Sequence, residues 1–238
     1  MDERRTFSLR RLSEPRYAHL KLLLLWPVYL LVFLITERFL PRSYYHPMYH
    51  PLDDRIPFQE LFVIPYVFWY VFMIGSILYT LRHDTRAFRR QGWFMIITFG
   101  TACLVYLLYP NCQQLRPQVY PRDNLLTSAV RLLHWIDTPT GVCPSLHVCG
   151  AIGCALGLSD TRRFGTLPWR IVNFSIALLI SLSTMFIKQH SVVDVFWAVM
   201  LSLAAYVIAY RIPQKNRRPL HERGSYDIVK ASNKEDQQ

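Results

Sequence analysis

The sequence predicts an all-α, polytopic membrane protein built as a bundle of six transmembrane helices. Two observations carry this. Hydrophobic residues make up 52% of the 238-residue chain and fall in long blocks, and a helix needs about 20 mostly apolar residues to cross a bilayer. The second observation is where the positive charge lies. The formal net charge is +11, from 27 Lys and Arg against 16 Asp and Glu. The basic residues gather in segments 1–21, 82–92, 159–170 and 211–238. With the N-terminus cytoplasmic, six spans return all four segments to that side, which is the positive-inside pattern. The basic ends therefore read as topology signals and contacts to anionic lipid, and nucleic acid is not an expected partner.

Residues 1–19 read as a basic cytoplasmic segment. The first span covers Leu20–Leu40 and carries Pro27. It is too long for a signal-peptide core, and Thr36-Glu37-Arg38 follows in place of a small-residue cleavage site, so it is expected to be retained. Residues 41–60 form an outer loop in which His46 and His50 stand four apart, with Asp53 and Asp54 beyond. That spacing suits a metal only weakly, and Pro47 between the histidines argues against a helix. An interfacial loop is the expected reading.

The second span, Leu61–Leu81, is dense in aromatics, among them Tyr66, Trp69 and Tyr70. Packing and interface anchoring account for them. A short basic turn, 82–92, leads into the third span, Trp93–Tyr109. The outer loop 110–141 is long, and long loops between short ones tend to be functional. Within it Leu125, Leu126, Val130, Leu133 and Ile136 predict a short amphipathic helix at the membrane interface. The fourth span, Ser145–Leu158, is short; Trp169–Ile187 and Ser191–Ile212 are the fifth and sixth. The six-span unit is thus expected over 20–212, with 213–238 a polar, disordered cytoplasmic tail.

Of five cysteines, Cys103, Cys149 and Cys154 fall inside spans and read as small buried residues. Cys112 and Cys143 fall outside, where a disulfide is permitted, and a bond between them would tether the 110–141 loop to the fourth span. Two free thiols, or a zinc site with His147, are the alternatives.

Two stretches carry chemistry. Cys143-Pro144-Ser145-Leu146-His147 opens the fourth span. A helix starting at Pro144 presents free N–H groups beside Ser145 and His147, an anion site. His190-Ser191-Val192-Val193-Asp194 sets an imidazole and a carboxylate at i and i+4, so Asp194 can hold one ring nitrogen of His190 and leave the other as nucleophile or base. Either histidine alone is more often a satisfied core residue. Asp194 argues otherwise, because an ionisable group in an apolar run is costly unless paired or functional. Arg116 is a candidate phosphate ligand by its bidentate guanidinium, or else a surface arginine on headgroups.

These residues resemble the type 2 phosphatidic acid phosphatase superfamily, whose three motifs are Lys-x6-Arg-Pro, Pro-Ser-Gly-His and Ser-Arg-x5-His-x3-Asp. Here the first keeps Arg116-Pro117 with Tyr109 at the lysine position. The second reads Pro144-Ser145-Leu146-His147. The third keeps Ser183, His190 and Asp194 with Thr184 for arginine. Lys188, two residues before His190, is positioned to restore one charge. The resemblance implies a six-helix lipid phosphatase with its site on the extracytoplasmic face. His190 would be the nucleophile, Asp194 its partner and His147 the general acid and base, with Ser145, Arg116, Lys188 and Ser183 around the phosphate. It implies no metal and no cofactor, a lipid phosphate or diphosphate as substrate, and membrane lipids as surroundings. The reduced cation set is also similar to sphingomyelin synthases, which pass a phospho-headgroup to another lipid. A non-enzymatic membrane protein on the same fold is the third reading.

Overall fold

A computed structural model describes residues 20–23, 25–39 and 45–211; the expected basic segment 1–19 and the polar tail 213–238 lie outside the described residues. The helices are α1 (Leu25–Phe39), α2 (Leu52–Arg55), α3 (Val63–His83), α4 (Thr85–Leu108), α5 (Leu125–Ile136), α6 (Leu146–Ser159), α7 (Leu167–Phe186) and α8 (Val192–Tyr206), the last running on as a π-turn, Val207–Arg211. Two short strands, β1 (His46–Pro47) and β2 (Asn111–Cys112), pair in parallel and join the two outer loops.

Among the described residues, four helical segments are long and apolar enough to cross a membrane: Glu60–His83, Thr85–Leu108, Leu167–Phe186 and Val192–Arg211. The expected count of six is not confirmed. Helix α1 has 15 residues and α6 has 14, about 21–23 Å at 1.5 Å per residue against a hydrocarbon core of about 30 Å. The reason for the short α6 is its place. It packs against α3, α4, α7 and α8, and ten of its residues, Leu146 to Ser159, are buried. A helix enclosed by others has no need to match the bilayer.

Small residues make that enclosure possible, because in lipid helices gain from close backbone approach. A β-carbon on Gly150 would lie 2.8 Å from Met73 Cε, one on Gly153 2.7 Å from Met95 Cε, and one on Gly157 2.5 Å from Gln91 Cδ. Gln91 cannot move aside cheaply. It donates from Nε2 to Ser76 Oγ at 2.6 Å and accepts from Thr80 Oγ1 at 2.8 Å, all three side chains being buried. The remaining faces of the long helices carry exposed Ile64, Val71 and Ile74 on α3, Ile171 and Leu178 on α7, and Leu203 on α8, as a lipid-facing surface requires.

The expected basic turn 82–92 is largely helical. Asp84 caps α4, its Oδ1 accepting from the N–H groups of Arg86 at 3.0 Å and Ala87 at 2.9 Å, and the helix therefore starts eight residues before Trp93. Arg90 then reaches Asp160 at 3.0 Å and lies 5.7 Å from the Tyr210 ring centre. The basic segments 82–92, 159–170 and the end of α8 thus meet at one end of the bundle. The loops before α6 and α8 meet at the other.

The expected interfacial helix is present as α5, with Asn124 Oδ1 accepting from Thr127 N at 2.9 Å as its cap. Leu126, Val130 and Leu133 pack beside Val63, Tyr66 and Ile187, while Leu125, Leu132 and Trp135 remain exposed. His134 docks α5 onto the turn before α8: Nε2 donates to the Ile187 carbonyl at 2.9 Å, and Nδ1 accepts from Tyr120 Oη at 2.8 Å. Burial, with help from the Arg116 charge, pushes the His134 pKa down from 6.5 to about 4.

Two outcomes follow. Gly157→Ala should destabilise the bundle by about 1–3 kcal/mol by overpacking against Gln91, whereas Gly75→Ala and Gly100→Ala, with nothing within 4 Å of the new carbon, should not; denaturant unfolding in micelles reads both. For His134 the sign runs toward acid. Undocked, the ring binds a proton below 6.5; docked, it resists protonation down to about 4. Docking of α5 should therefore weaken as pH falls from about 6.5 to 4, by an amount on the order of 3 kcal/mol. Amide exchange over 125–136 should rise across that window, and His134→Asn should flatten the dependence.

Candidate active site

The start of α6 is held by its backbone. Asn111, at 0% exposure, accepts at Oδ1 from the N–H groups of Val142 and Cys143, each at 2.8 Å, and donates from Nδ2 to the Cys143 carbonyl at 2.9 Å. Gly141 sits at φ +61°, where a β-carbon would press to 3.3 Å of the Tyr106 ring, so a glycine is required there. Tyr106 Oη donates to the Pro144 carbonyl at 2.6 Å. Ser145 caps α6, its Oγ facing Val148 N at 3.5 Å, and its own N–H donates to the Asp194 carbonyl at 3.2 Å. That bond joins the starts of α6 and α8.

The start of α8 carries the second pair. His190 Nδ1 donates to Asp194 Oδ2 at 3.2 Å, and the same oxygen accepts from Ser191 N at 2.9 Å. His190 is 6% exposed and Asp194 0%. The Thr184 carbonyl at the end of α7 accepts from both Gln189 N, 2.9 Å, and His190 N, 3.0 Å, which turns the chain sharply into α8. The His147 ring lies 5.8 Å from that of His190, centre to centre. Tyr66 of α3 stacks on it and Trp69 of α3 lies tilted against it, both ring centres at 4.3 Å. His147 Nε2 and Asp194 Oδ1 are buried without a partner among the described residues. Two imidazoles and one carboxylate thus converge beside a helix start, an arrangement able to act as nucleophile, orienting group and proton carrier.

The expected phosphate ligands fare differently. Arg116 is half-buried, and its Nη groups are engaged by protein: Nη1 donates to the His134 carbonyl at 2.6 Å, and Nη2 to the Asp137 carbonyl and Gln189 Oε1, each at 2.8 Å. Nε has no partner among the described residues. Gln189 Nε2 and Tyr66 Oη both donate to Asp137 Oδ2, at 2.6 and 3.1 Å, so Arg116 is wired to the ring stacked on His147. Lys188, at φ +61°, donates from Nζ to the carbonyls of Asp53 at 2.7 Å and Ile56 at 2.5 Å. Burial lowers the pKa of both cations. Ser183 is buried in α7 and its hydroxyl donates back to the Ile180 carbonyl at 2.6 Å. At the two positions where the motifs have cations, Tyr109 stacks on His46 at 4.1 Å and Thr184 donates from Oγ1 to the Ser181 carbonyl at 2.8 Å.

The expected bond between Cys112 and Cys143 is not formed; both are free thiols. The tether it was to supply is made by Asn111, while Cys112 bridges to Thr140. Burial and the neighbouring Asp194 carboxylate push the Cys143 thiol up to about 12, far from the thiolate that exchange chemistry needs. His46, His50, Asp53 and Asp54 diverge: His50 Nδ1 accepts from Leu52 N at 3.2 Å, Asp54 accepts from Tyr49 Oη, and Asp53 turns toward α8. Among the described residues no group of three His, Cys, Asp or Glu is placed to hold a metal.

Several residues of the site carried no sequence signal. Asn111, Asp137 and Gln189 are ordinary loop polars, and Tyr66 and Trp69 were two aromatics among many. Only their contacts in the closed fold single them out: Asn111 on the backbone before α6, Asp137 and Gln189 beside Arg116, Tyr66 and Trp69 against His147.

The family model of the PAP2 superfamily matches residues 90–218, a stretch that contains Arg116, His147, His190 and Asp194. Searches of curated proteins and of solved structures return no match. With more than half of its length covered by that match, the chain belongs to the PAP2 superfamily.

Proposed function

We propose that this protein is an integral-membrane lipid phosphatase that hydrolyses a lipid phosphate or diphosphate, phosphatidic acid-like or isoprenyl, through a phosphohistidine on His190. The observation that carries the reading is the buried His190–Asp194 pair with His147 across from it, rings 5.8 Å apart. Asp194 accepts from Nδ1, which leaves His190 Nε2 as the attacking lone pair and balances the positive charge that forms on the ring. As the nitrogen–phosphorus bond forms, the bond from phosphorus to the lipid oxygen breaks, and His147 gives that oxygen its proton. Water then attacks the phosphohistidine, His147 takes one of its protons, and phosphate leaves with His190 restored. The helix start at Ser145, together with Arg116, Lys188 and Ser183, is the expected surround of the phosphoryl oxygens.

A second reading has a specific observation behind it. The Nη groups of Arg116 and the ammonium of Lys188 are already bonded to protein acceptors, and Tyr109 and Thr184 stand where cations are expected. A site poorer in free cations suits a phosphodiester, which carries less charge than a monoester, and so suits a phospho-headgroup transferase. The clustering of basic segments at one end supports cytoplasmic termini and an extracytoplasmic site in a cell membrane.

Purified protein should be incubated with phosphatidic acid or an isoprenyl diphosphate, with and without diacylglycerol or ceramide. Released inorganic phosphate is the expected result. A new lipid in its place indicates the transferase, and no product across the panel supports a non-enzymatic role. His190→Ala should abolish turnover and trapping of the phosphoenzyme. His147→Ala should cost about 10²–10⁴-fold on an alkyl phosphate and much less on an aryl phosphate, whose leaving group needs no proton. A phosphoryl group mapped to His147 would reverse the two roles.

A further inference from the structure

The first turn of α8 leaves backbone N–H groups that no helical carbonyl can satisfy. In a buried site, such groups attract whatever carboxylate is near, and Asp194 is itself the third residue of this turn. Its Oδ2 takes the Ser191 N–H and still holds His190, because each donor beyond Ser191 is otherwise met. Val192 N donates to Asp53 Oδ1 at 2.8 Å. Val193 N donates to Ser191 Oγ at 3.2 Å, and Asp194 N and Val195 N reach the Ser191 carbonyl at 3.1 and 3.3 Å. The Ser191 hydroxyl, in turn, donates to Asp53 Oδ2 at 2.6 Å. Its proton is thereby kept off Asp194, and its lone pairs stay turned to Val193.

Asp53 lies 138 residues from Ser191 in sequence and is 2% exposed. It also accepts from His50 N at 2.8 Å, which closes its own turn. Its negative charge is balanced by the positive end of α8 and by Lys188, whose ammonium donates to the carbonyls of Asp53 and Ile56. The turn at 50–56 and the turn at 188–192 are therefore bolted together twice, once by the Asp53 carboxylate and once by the Lys188 ammonium.

We propose that Asp53 is a positioning residue for the His190–Asp194 pair: by satisfying Val192 N–H and the Ser191 hydroxyl, it leaves the Asp194 carboxylate to hold His190 Nδ1. Without Asp53, the Val192 N–H and the Ser191 hydroxyl compete with His190 for Asp194, the nearest remaining carboxylate on the same turn. His190 then loses its fixed tautomer. The consequence for turnover rests on the function proposed above; the consequence for the His190 ring does not.

The test uses the full chain in nanodiscs, as wild type, Asp53→Asn, Asp53→Ala and Ser191→Ala, each also combined with Asp194→Asn. Spectra of ¹⁵N-histidine-labelled protein, assigned with His190→Gln, report the His190 tautomer. Asp53→Asn is expected to shift His190 from a single Nδ1–H form to a tautomer mixture, as Asp194→Asn does. On a lipid phosphate, kcat should fall about 10- to 100-fold, the scale of a small misplacement, with KM within about twofold. In the Asp194→Asn background the same change should cost almost nothing more, since there is no pair left to position. An unchanged His190 Nδ1–H signal, or an equal loss of kcat in both backgrounds, would overturn the proposal and leave Asp53 a structural cap. If Asp53→Ala does not fold, Asp53→Asn and Ser191→Ala sever the same contact and decide it. If wild type turns over no lipid phosphate, the proposed function fails, and the nitrogen spectra still decide the role of Asp53.

Discussion

Asp194 is wholly buried at the mouth of an apolar bundle, and most of what surrounds it follows from that. A carboxylate in such a place must be met by donors, since leaving it unpaired is expensive. Ser191 N and His190 Nδ1 meet one oxygen. The carbonyl of the same residue takes the N–H of Ser145. One residue thus fixes the start of α8, the orientation of His190 and the contact between α6 and α8. The sharp turn at the Thr184 carbonyl and the cap at Ser191 bring His190 to where that carboxylate can use it.

The same logic accounts for the cations. Arg116 and Lys188 both sit where a phosphate ligand was expected, yet the polar groups they touch are mainly backbone carbonyls at loop ends. Loops at a membrane protein's mouth carry many such carbonyls, and half-buried cations satisfy them well. Arg116 gathers the end of α5 and the turn before α8; Lys188 gathers the turn around α2 and the same turn. Both brace the loop that presents His190. Two imidazoles, one carboxylate and a helix start thus meet in a frame that Arg116 and Lys188 brace.

Beneath the site, α6 sets the geometry of the bundle. Gly150, Gly153 and Gly157 line up along it and let α3 and α4 approach its backbone. The packing of Tyr66 and Trp69 on His147 depends on that closeness, because both rings belong to α3. A bulkier α6 would push α3 outward and strip His147 of its platform. The small residues and His147 are thus parts of one packing solution.

Much of this was legible along the chain. Hydropathy blocks mark α3, α4, α7 and α8 because a lipid-facing helix must be apolar over its length, and charged clusters mark the helix ends because lysine and arginine are costly in the apolar interior. The amphipathic period from Leu125 announces α5. The spacing of His190 and Asp194 announces their contact, since i and i+4 meet on any helix. What the chain could not reveal depends on partners far apart in sequence. A 14-residue apolar run reads as a short span, and only the fold shows that four neighbouring helices enclose it. Cys112 and Cys143 invite a disulfide until Asn111 is seen to bind the Cys143 backbone in its place. Arg116 and Lys188 look like free cations until carbonyls from other loops reach them, and Asp53 looks like a loop carboxylate until it caps a helix 138 residues away. Hydropathy and local spacing are properties of neighbouring residues, so the sequence determined the long helices and the contact of His190 with Asp194. Hydrogen-bond satisfaction is a property of the closed bundle, so only the tertiary structure decided which charges are tied to loop carbonyls and which helix start Asp53 caps.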